Sequence, residues 1–123
     1  MKKIKLIRFI PALLWMAFIF YWSSRSTTGI GGSGVERFIL FKTLHLIEYA
    51  ILGFLVIYPL SSIIPSTFIS YLYAITDEIH QSFTPGRGPK FTDTLIDLGG
   101  ILIGILIFKY IKKHFKKTKN KLH

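Results

Sequence analysis

The sequence contains no cysteine and only six acidic residues among its 123 positions. The absence of cysteine excludes disulfide bonds and thiolate metal sites. Sixteen lysines and arginines leave a formal net charge of +10, a balance that is often typical of nucleic-acid binding. Here the basic residues are not spread along the chain but collect at its two ends, so the pattern argues against a nucleic-acid partner.

Those basic ends flank long apolar runs. Four bases lie between Lys2 and Arg8, and seven lysines lie between Lys109 and Lys121, so the two ends hold eleven of the sixteen. Basic residues accumulate on the cytoplasmic side of membrane spans, where they contact anionic lipid. Half of the residues are hydrophobic and 15% are aromatic. This composition is typical of a small polytopic membrane protein, and the length indicates a single domain over residues 1–123.

Four apolar runs predict four transmembrane helices, at about residues 6–22, 43–60, 66–83 and 91–111, with a basic cytoplasmic tail at 112–123. Each run is long enough to cross a thin hydrocarbon core at about 1.5 Å per residue. Two basic ends on one side of a membrane require an even number of crossings. We therefore expect an all-α, four-transmembrane-helix bundle in the cell membrane, with both termini cytoplasmic.

Two segments of this map have alternative interpretations. The first run could be a signal peptide, but Tyr21 and Trp22 stand where small cleavage-site residues would be needed. Aromatic residues at that point suit a membrane interface instead. The glycine-rich residues 23–36 are predicted to be a flexible loop.

Five of the six acidic residues lie inside the predicted spans. Counted from the expected span ends, Glu48, Asp77, His80 and Asp97 all fall roughly 7–12 Å below the outer surface. A charge at the bilayer centre costs about 2.5–3.5 kcal/mol, so these side chains should face the bundle interior. We interpret them as one functional site; a purely structural ion-pair network is the alternative.

Helical spacing sorts the polar residues of the third and fourth spans. Asp77, His80 and Gln81 share one face of the third span, while Glu78 points about a quarter-turn away.

In the fourth span, Asp93, Asp97, Gly100 and Gly104 form a stripe. The Gly100-x-x-x-Gly104 spacing predicts close contact with a neighbouring helix.

The chemistry of such a cluster leaves three alternatives. His45, Glu48, Asp77 and His80 supply imidazoles and carboxylates that could bind a divalent metal. Without a metal, Glu48 or Asp77 could orient an imidazole that takes up a proton. In binding alone, basic side chains would hold an anionic head group. The candidate catalytic residues are His45, Glu48, Asp77, Glu78 and His80, and the candidate substrate-binding residues are Lys42, Tyr49, Gln81, Arg87, Asp93 and Asp97.

These residues carry a resemblance to the VanZ-like family. The motifs are Lys42-x-x-His45-x-x-Glu48-Tyr49, Asp77-Glu78-Ile79-His80-Gln81-x-Phe83-x-Pro85-Gly86-Arg87 and Asp93-x-x-x-Asp97-x-x-Gly100-x-x-x-Gly104. They cover about the last two-thirds of the chain, and the end of the first span at Trp22 is also similar. The sequence departs from the family at Asp97, where Asn is usual, and near Arg25, where Gln is usual.

The resemblance implies a small multi-span bacterial membrane protein, and the family's named member is linked to teicoplanin resistance. It implies no agreed reaction. We expect an envelope protein that binds or modifies an anionic lipid or lipid-linked cell-wall component at the outer leaflet. The alternative is a non-catalytic membrane protein that binds a ligand or partner. A homo-oligomer is compatible with either, and a proton-coupled transporter is disfavoured because four short spans leave little room for alternating access.

Overall fold

The computed structural model describes residues 6–23, 34–83 and 92–121, and the regular secondary structure in these ranges is helical throughout. The predicted all-α class is confirmed. Helix α1 spans Ile10–Ser23 after a short 3₁₀ turn at Leu6–Phe9, α2 spans Gly34–Leu60, α3 spans Ile63–Gln81 and α4 spans Thr92–Lys121.

Helix α2 is the centre of the arrangement, because it contacts each of the other three helices and packs most extensively against α4. Helix α3 also contacts both α1 and α4. Within the described ranges α1 and α4 do not pack against each other. The α2–α3 pair therefore lies between α1 on one side and α4 on the other.

The α2–α4 interface is a close contact between backbones. A Cβ added to Gly100 would lie 2.5 Å from the carbonyl oxygen of Leu46, and one added to Gly104 would overlap the backbone of Ala50. Gly53 of α2 likewise leaves no space for a Cβ, because the backbone of α4 is too close. The predicted close packing through Gly100 and Gly104 is confirmed, and the partner is α2.

Helices α2 and α4 extend beyond the predicted spans, although the apolar segment Lys42–Leu60 agrees with the span predicted at 43–60. Helix α2 begins at Gly34 rather than near residue 43, so the last part of the glycine-rich segment is helical. Helix α4 continues to Lys121 rather than ending at residue 111. Lysine is a good helix former, and positive side chains are favourable near a helix C-terminus. The basic tail therefore continues α4 as a helix.

The connection between α2 and α3 is shorter than the Leu60–Pro65 segment that the prolines predicted. Only Ser61 and Ser62 separate the helices. Pro65 lies in the first turn of α3, where a backbone N–H has no helical partner to lose.

Ser61 ends α2 with a left-handed cap. Its φ is 62°, and its backbone N–H donates to the carbonyl oxygen of Ile57 at 2.8 Å, as in an αL C-terminal motif. The ammonium group of Lys109 in α4 donates to the carbonyl oxygen of Ser61 at 2.9 Å. This bond fixes the basic part of α4 beside the α2–α3 connection.

The start of the described chain lies at the same end of the bundle. The guanidinium of Arg8 lies over the ring of Tyr58, near the end of α2, at 5.5 Å from the ring centroid. We call this end, marked by Arg8, Tyr58, Ser61 and Lys109, the basic end. Arg8 and Lys109, one from each basic segment, thus lie at the same end of the described helices.

Two segments among the described residues are long and apolar enough to cross a membrane, Lys42–Leu60 and Thr94–Lys117. Only 39% and 33% of these windows are buried, whereas the core helix of a soluble protein would be mostly buried. The apolar segment Leu6–Trp22 is shorter, and α3 does not meet the same test.

Helix α3 has its polar residues inside and its apolar residues outside. Its buried residues are Ser66, Ser70, Ala74, Asp77, Glu78 and Gln81. On the opposite side Ile64 is 80% exposed and Phe68 is 63% exposed. A helix of a water-soluble bundle has the reverse pattern.

Candidate functional site

Asp77 of α3 is the centre of a buried hydrogen-bonded group. The side chain is 3% exposed. The hydroxyl of Tyr49 in α2 donates to its Oδ2 at 2.8 Å, and the amide of Gln81 donates to the same oxygen at 3.1 Å. The other oxygen, Oδ1, is buried and has no hydrogen-bond partner among the described residues. Two donors therefore orient the carboxylate and leave one acceptor unused.

A second contact joins α2 to α4. Nδ1 of His45 lies 3.3 Å from Oδ1 of Asp97, whose side chain is 1% exposed. The sequence predicted that Glu48 or Asp77 orients an imidazole. In the described contacts the carboxylate beside His45 is instead Asp97, because α2 packs so closely against α4.

His45 and Tyr49 connect these two contacts. They lie one turn apart on α2, with nearly parallel rings whose centroids are 6.2 Å apart. The structure thus brings residues of α2, α3 and α4 to one level of the bundle. We call this set the polar cluster: His45, Tyr49, Asp77, Gln81 and Asp97.

His80 lies beside the polar cluster but faces α1. Its ring stacks on Phe20, with centroids 4.0 Å apart. Its Nε2 atom is buried without a hydrogen-bond partner in the described part of the chain. His80 therefore offers a second unused polar atom one turn beyond Asp77.

Glu78 is a buried residue at the edge of the inner face of α3. The spacing rule placed it about a quarter-turn from the face of Asp77, yet it is buried together with Asp77 and Gln81. At about 100° per residue, the buried face of α3 is centred near Gln81, so Glu78 falls within its edge.

The family assignment of the chain rests on a long matched region and not on one contact. The VanZ/LLP1 family model matches residues 6–112, which include α1, α2, α3, most of α4 and the polar cluster. The chain belongs to the VanZ/LLP1 family. No curated protein and no solved structure matches it. With its two segments of membrane-spanning length, this VanZ/LLP1 chain is a membrane protein.

Aromatic side chains that sequence reasoning missed hold α1 and α3 in place in this VanZ/LLP1 protein. The indole N–H of Trp15 donates to the carbonyl oxygen of Glu48 at 2.9 Å. The hydroxyl of Tyr73 donates to the carbonyl oxygen of Met16 at 2.5 Å. A Trp or Tyr inside an apolar run is the one signal available, because its polar tip needs a partner when buried.

Several predicted site residues are not positioned. Arg87 lies outside the described residues, as does the side chain of Asp93. Lys42 and Glu48 are both partly buried on α2, one turn or less from His45. Of the predicted site residues, the contacts join those of the polar cluster, His45, Tyr49, Asp77, Gln81 and Asp97.

The chemistry of the described cluster is that of a hydrogen-bond acceptor. Glu48, Asp77, Glu78 and Asp97 supply four carboxylates to the interior or its edge. In the described residues no group of three or more His, Asp or Glu side chains is arranged to hold a metal ion. Buried carboxylates and imidazoles of this kind can accept a proton or a hydrogen bond from a ligand.

Proposed function

We propose that this protein is a multi-pass protein of the bacterial cell envelope that binds or modifies an anionic lipid or lipid-linked cell-wall component at the outer leaflet. Membership of the VanZ/LLP1 family supports a membrane protein with a link to glycopeptide (teicoplanin) resistance. The rest of the proposal rests on how the helices present polar and apolar side chains.

Helices α1 and α3, whose hydropathy and length alone do not indicate a membrane span, also support four crossings. Helix α3 has 19 residues, a length of about 28 Å, and its polar residues face its neighbours. Helix α1 likewise exposes apolar side chains, including Leu13, Leu14 and Phe18. Such surfaces suit lipid, since burying the polar face of α3 leaves an apolar face outside.

The side of the membrane follows from the basic end. Lysines and arginines concentrate on the cytoplasmic side, so Arg8, Ser61 and Lys109 belong near the inner surface. Asp97 lies twelve residues before Lys109 on α4, about 18 Å along the helix. In a hydrocarbon core of about 30 Å the polar cluster then lies in the outer half.

The observation that carries the proposal is the unused oxygen of Asp77. A carboxylate oxygen in a membrane interior without a donor costs several kcal/mol, on the order that applies to other desolvated polar groups. A ligand hydroxyl or ammonium group would satisfy Oδ1, and a second ligand group would satisfy Nε2 of His80. Head groups of lipids and of lipid-linked sugars carry such donors next to a phosphate, which Lys42 and Arg87 would hold.

The same geometry would permit chemistry as well as binding. With Oδ2 held by Tyr49 and Gln81, Oδ1 of Asp77 could accept a proton from a bound hydroxyl. Non-catalytic binding is the alternative, and it needs the same acceptor. His80→Gln separates the two, because an enzyme would lose turnover while still holding its ligand, whereas a binding protein would lose affinity and function together.

Asp77→Asn tests the proposed site directly. The Asn oxygen can still accept from Tyr49 and Gln81, but the amide nitrogen replaces the unused acceptor with a donor and removes the charge. We expect normal abundance in the membrane and at least a tenfold loss of function, since an amide is neither base nor counter-charge. The measurements are membrane abundance and teicoplanin susceptibility of cells that depend on this protein.

Ser70→Ala is the matched control. Ser70 lies on the same buried face of α3, and its hydroxyl has no partner among the described residues. We expect normal abundance and normal function. If Asp77→Asn is equally normal in both measurements, the proposed site is wrong. If Asp77→Asn instead lowers abundance while the surviving protein stays active, the cluster is a structural network.

A further inference from the structure

The last part of α4 forms a second polar surface, at the basic end and far from the polar cluster. All described side chains from Tyr110 to Lys117 are exposed. Seven lysines and no acidic residue follow Asp97 in the sequence. Helix α4 therefore continues beyond its neighbours as a strongly basic helix.

One face of this helix forms a shallow pocket. Tyr110, Lys113, His114 and Lys117 line a volume of about 200 Å³. Their i, i+3, i+4, i+7 spacing places them on one side of the helix. The rings of Tyr110 and His114 stack with centroids 6.2 Å apart, and Lys113 and Lys117 lie one turn apart beside them on the same face. Two positive charges beside one small cavity indicate an anionic ligand.

The position of the pocket indicates which anion it meets. Lys109, which contacts Ser61 at the α2–α3 connection, comes one residue before Tyr110. The pocket thus begins directly after the contact of α4 with the α2–α3 connection. Phe115, 70% exposed, lies between lysines on the same turn, and such mixed aromatic and basic surfaces are typical of the membrane interface.

We propose that Tyr110, Lys113, His114 and Lys117 bind the phosphate of an anionic phospholipid in the inner leaflet. A lipid is favoured over nucleic acid or an acidic protein because the pocket residues lie at the C-terminal end of Thr94–Lys117, a segment long enough to cross a membrane. The proposal relies on the cytoplasmic position of the basic end. It does not depend on the polar cluster or on its ligand.

The test compares two charge-matched variants of the full chain purified in detergent. Lys113→Gln/Lys117→Gln removes the pocket lysines, and Lys112→Gln/Lys116→Gln removes the same charge from the opposite face. Gln is also a good helix former, and all four positions are exposed, so helix content and thermal stability should stay unchanged. Native mass spectrometry then measures adducts with phosphatidylglycerol, with phosphatidylcholine and with inorganic phosphate.

We expect phosphatidylglycerol to bind at least tenfold more tightly than phosphatidylcholine or inorganic phosphate. The pocket variant should bind it about tenfold more weakly, and the opposite-face variant within about threefold of the unchanged protein. Equal losses in both variants would show a diffuse charge effect and overturn the proposed pocket. Equal binding of phosphatidylcholine, or tighter binding of a short RNA or acidic peptide at the same salt, would also overturn it. An unchanged affinity of the pocket variant for phosphatidylglycerol would also overturn the proposed pocket.

Discussion

Ser61 shows at the scale of one residue how the helices are connected. Among the described residues it is the non-glycine position with a positive φ, at 62°. That conformation costs an L-residue roughly 1–2 kcal/mol relative to glycine, part of which is offset by the greater freedom of glycine in the unfolded chain. The carbonyl bond from Lys109 uses only the backbone and does not depend on the serine side chain.

Ser61→Gly should therefore stabilise the protein by about 0.5–1 kcal/mol. The measurement is thermal unfolding in detergent. Ser62→Gly is the control, because Ser62 has an extended backbone with φ −116° and gains nothing from glycine. A melting temperature that rises equally in both variants, or falls for Ser61→Gly, would show that the left-handed cap is not the cause.

Individual side-chain partners could be predicted only in part. The shared face of Asp77 and Gln81 follows from helical spacing, and their hydrogen bond within one turn is local. The contact between His45 and Asp97 is not local and could not be predicted from helical spacing, because it depends on how close α2 and α4 approach. The bond from Trp15 to a backbone carbonyl of α2 could not be assigned from the sequence, which shows only that a Trp in an apolar run needs a partner for its N–H.

At the scale of the helix, α4 depends on two glycines whose missing side chains make room for α2. Gly100 and Gly104 both face the α2 backbone, whereas an added Cβ at Gly99 would meet nothing within 4 Å. Gly100-x-x-x-Gly104 was readable from the sequence because small residues four apart form one flat stripe.

Gly100→Leu and Gly104→Leu should each destabilise the protein by about 1–3 kcal/mol or more, since a bulky side chain forces two backbones apart. Gly104→Leu should be the worse of the two, because even a Cβ would overlap Ala50. Gly99→Leu should be neutral or slightly stabilising, as leucine is the better helix former. Thermal unfolding of the three purified variants decides it, and equal effects at all three positions would contradict the observed interface.

Helix ends were less predictable than helix positions. The apolar run reveals where α4 can cross a membrane, but α4 extends to Lys121 because lysines continue a helix well in water. Helix α2 begins at Gly34, in a segment whose glycines predict a loop. In both cases the hydropathy pattern indicated which part of the helix suits an apolar environment. It did not indicate where the helix begins or ends.

At the scale of the whole molecule, the direction of the helices in the membrane decides which leaflet the polar cluster meets. The chain has no native cysteine, so single introduced cysteines report position without background. With both termini cytoplasmic, cysteines at Ser33 and at Gly88 should react with an impermeant reagent added to intact cells. A cysteine at Thr118, in the last part of α4, should react only after the cells are opened. Labelling of Thr118 in intact cells would contradict the topology and, with it, the outer-leaflet site.

The central position of α2 also determines the order in which the protein can be assembled. Synthesis proceeds from the N-terminus, so α1, α2 and α3 leave the ribosome before α4. Until α4 arrives, the α2 surface at Leu46 and Ala50 lacks the packing that Gly100 and Gly104 later provide. The contact between His45 and Asp97 likewise cannot form until α4 is in place. The most extensive interface is thus the last to close, and arrival of the final helix both completes the bundle and finishes the buried site.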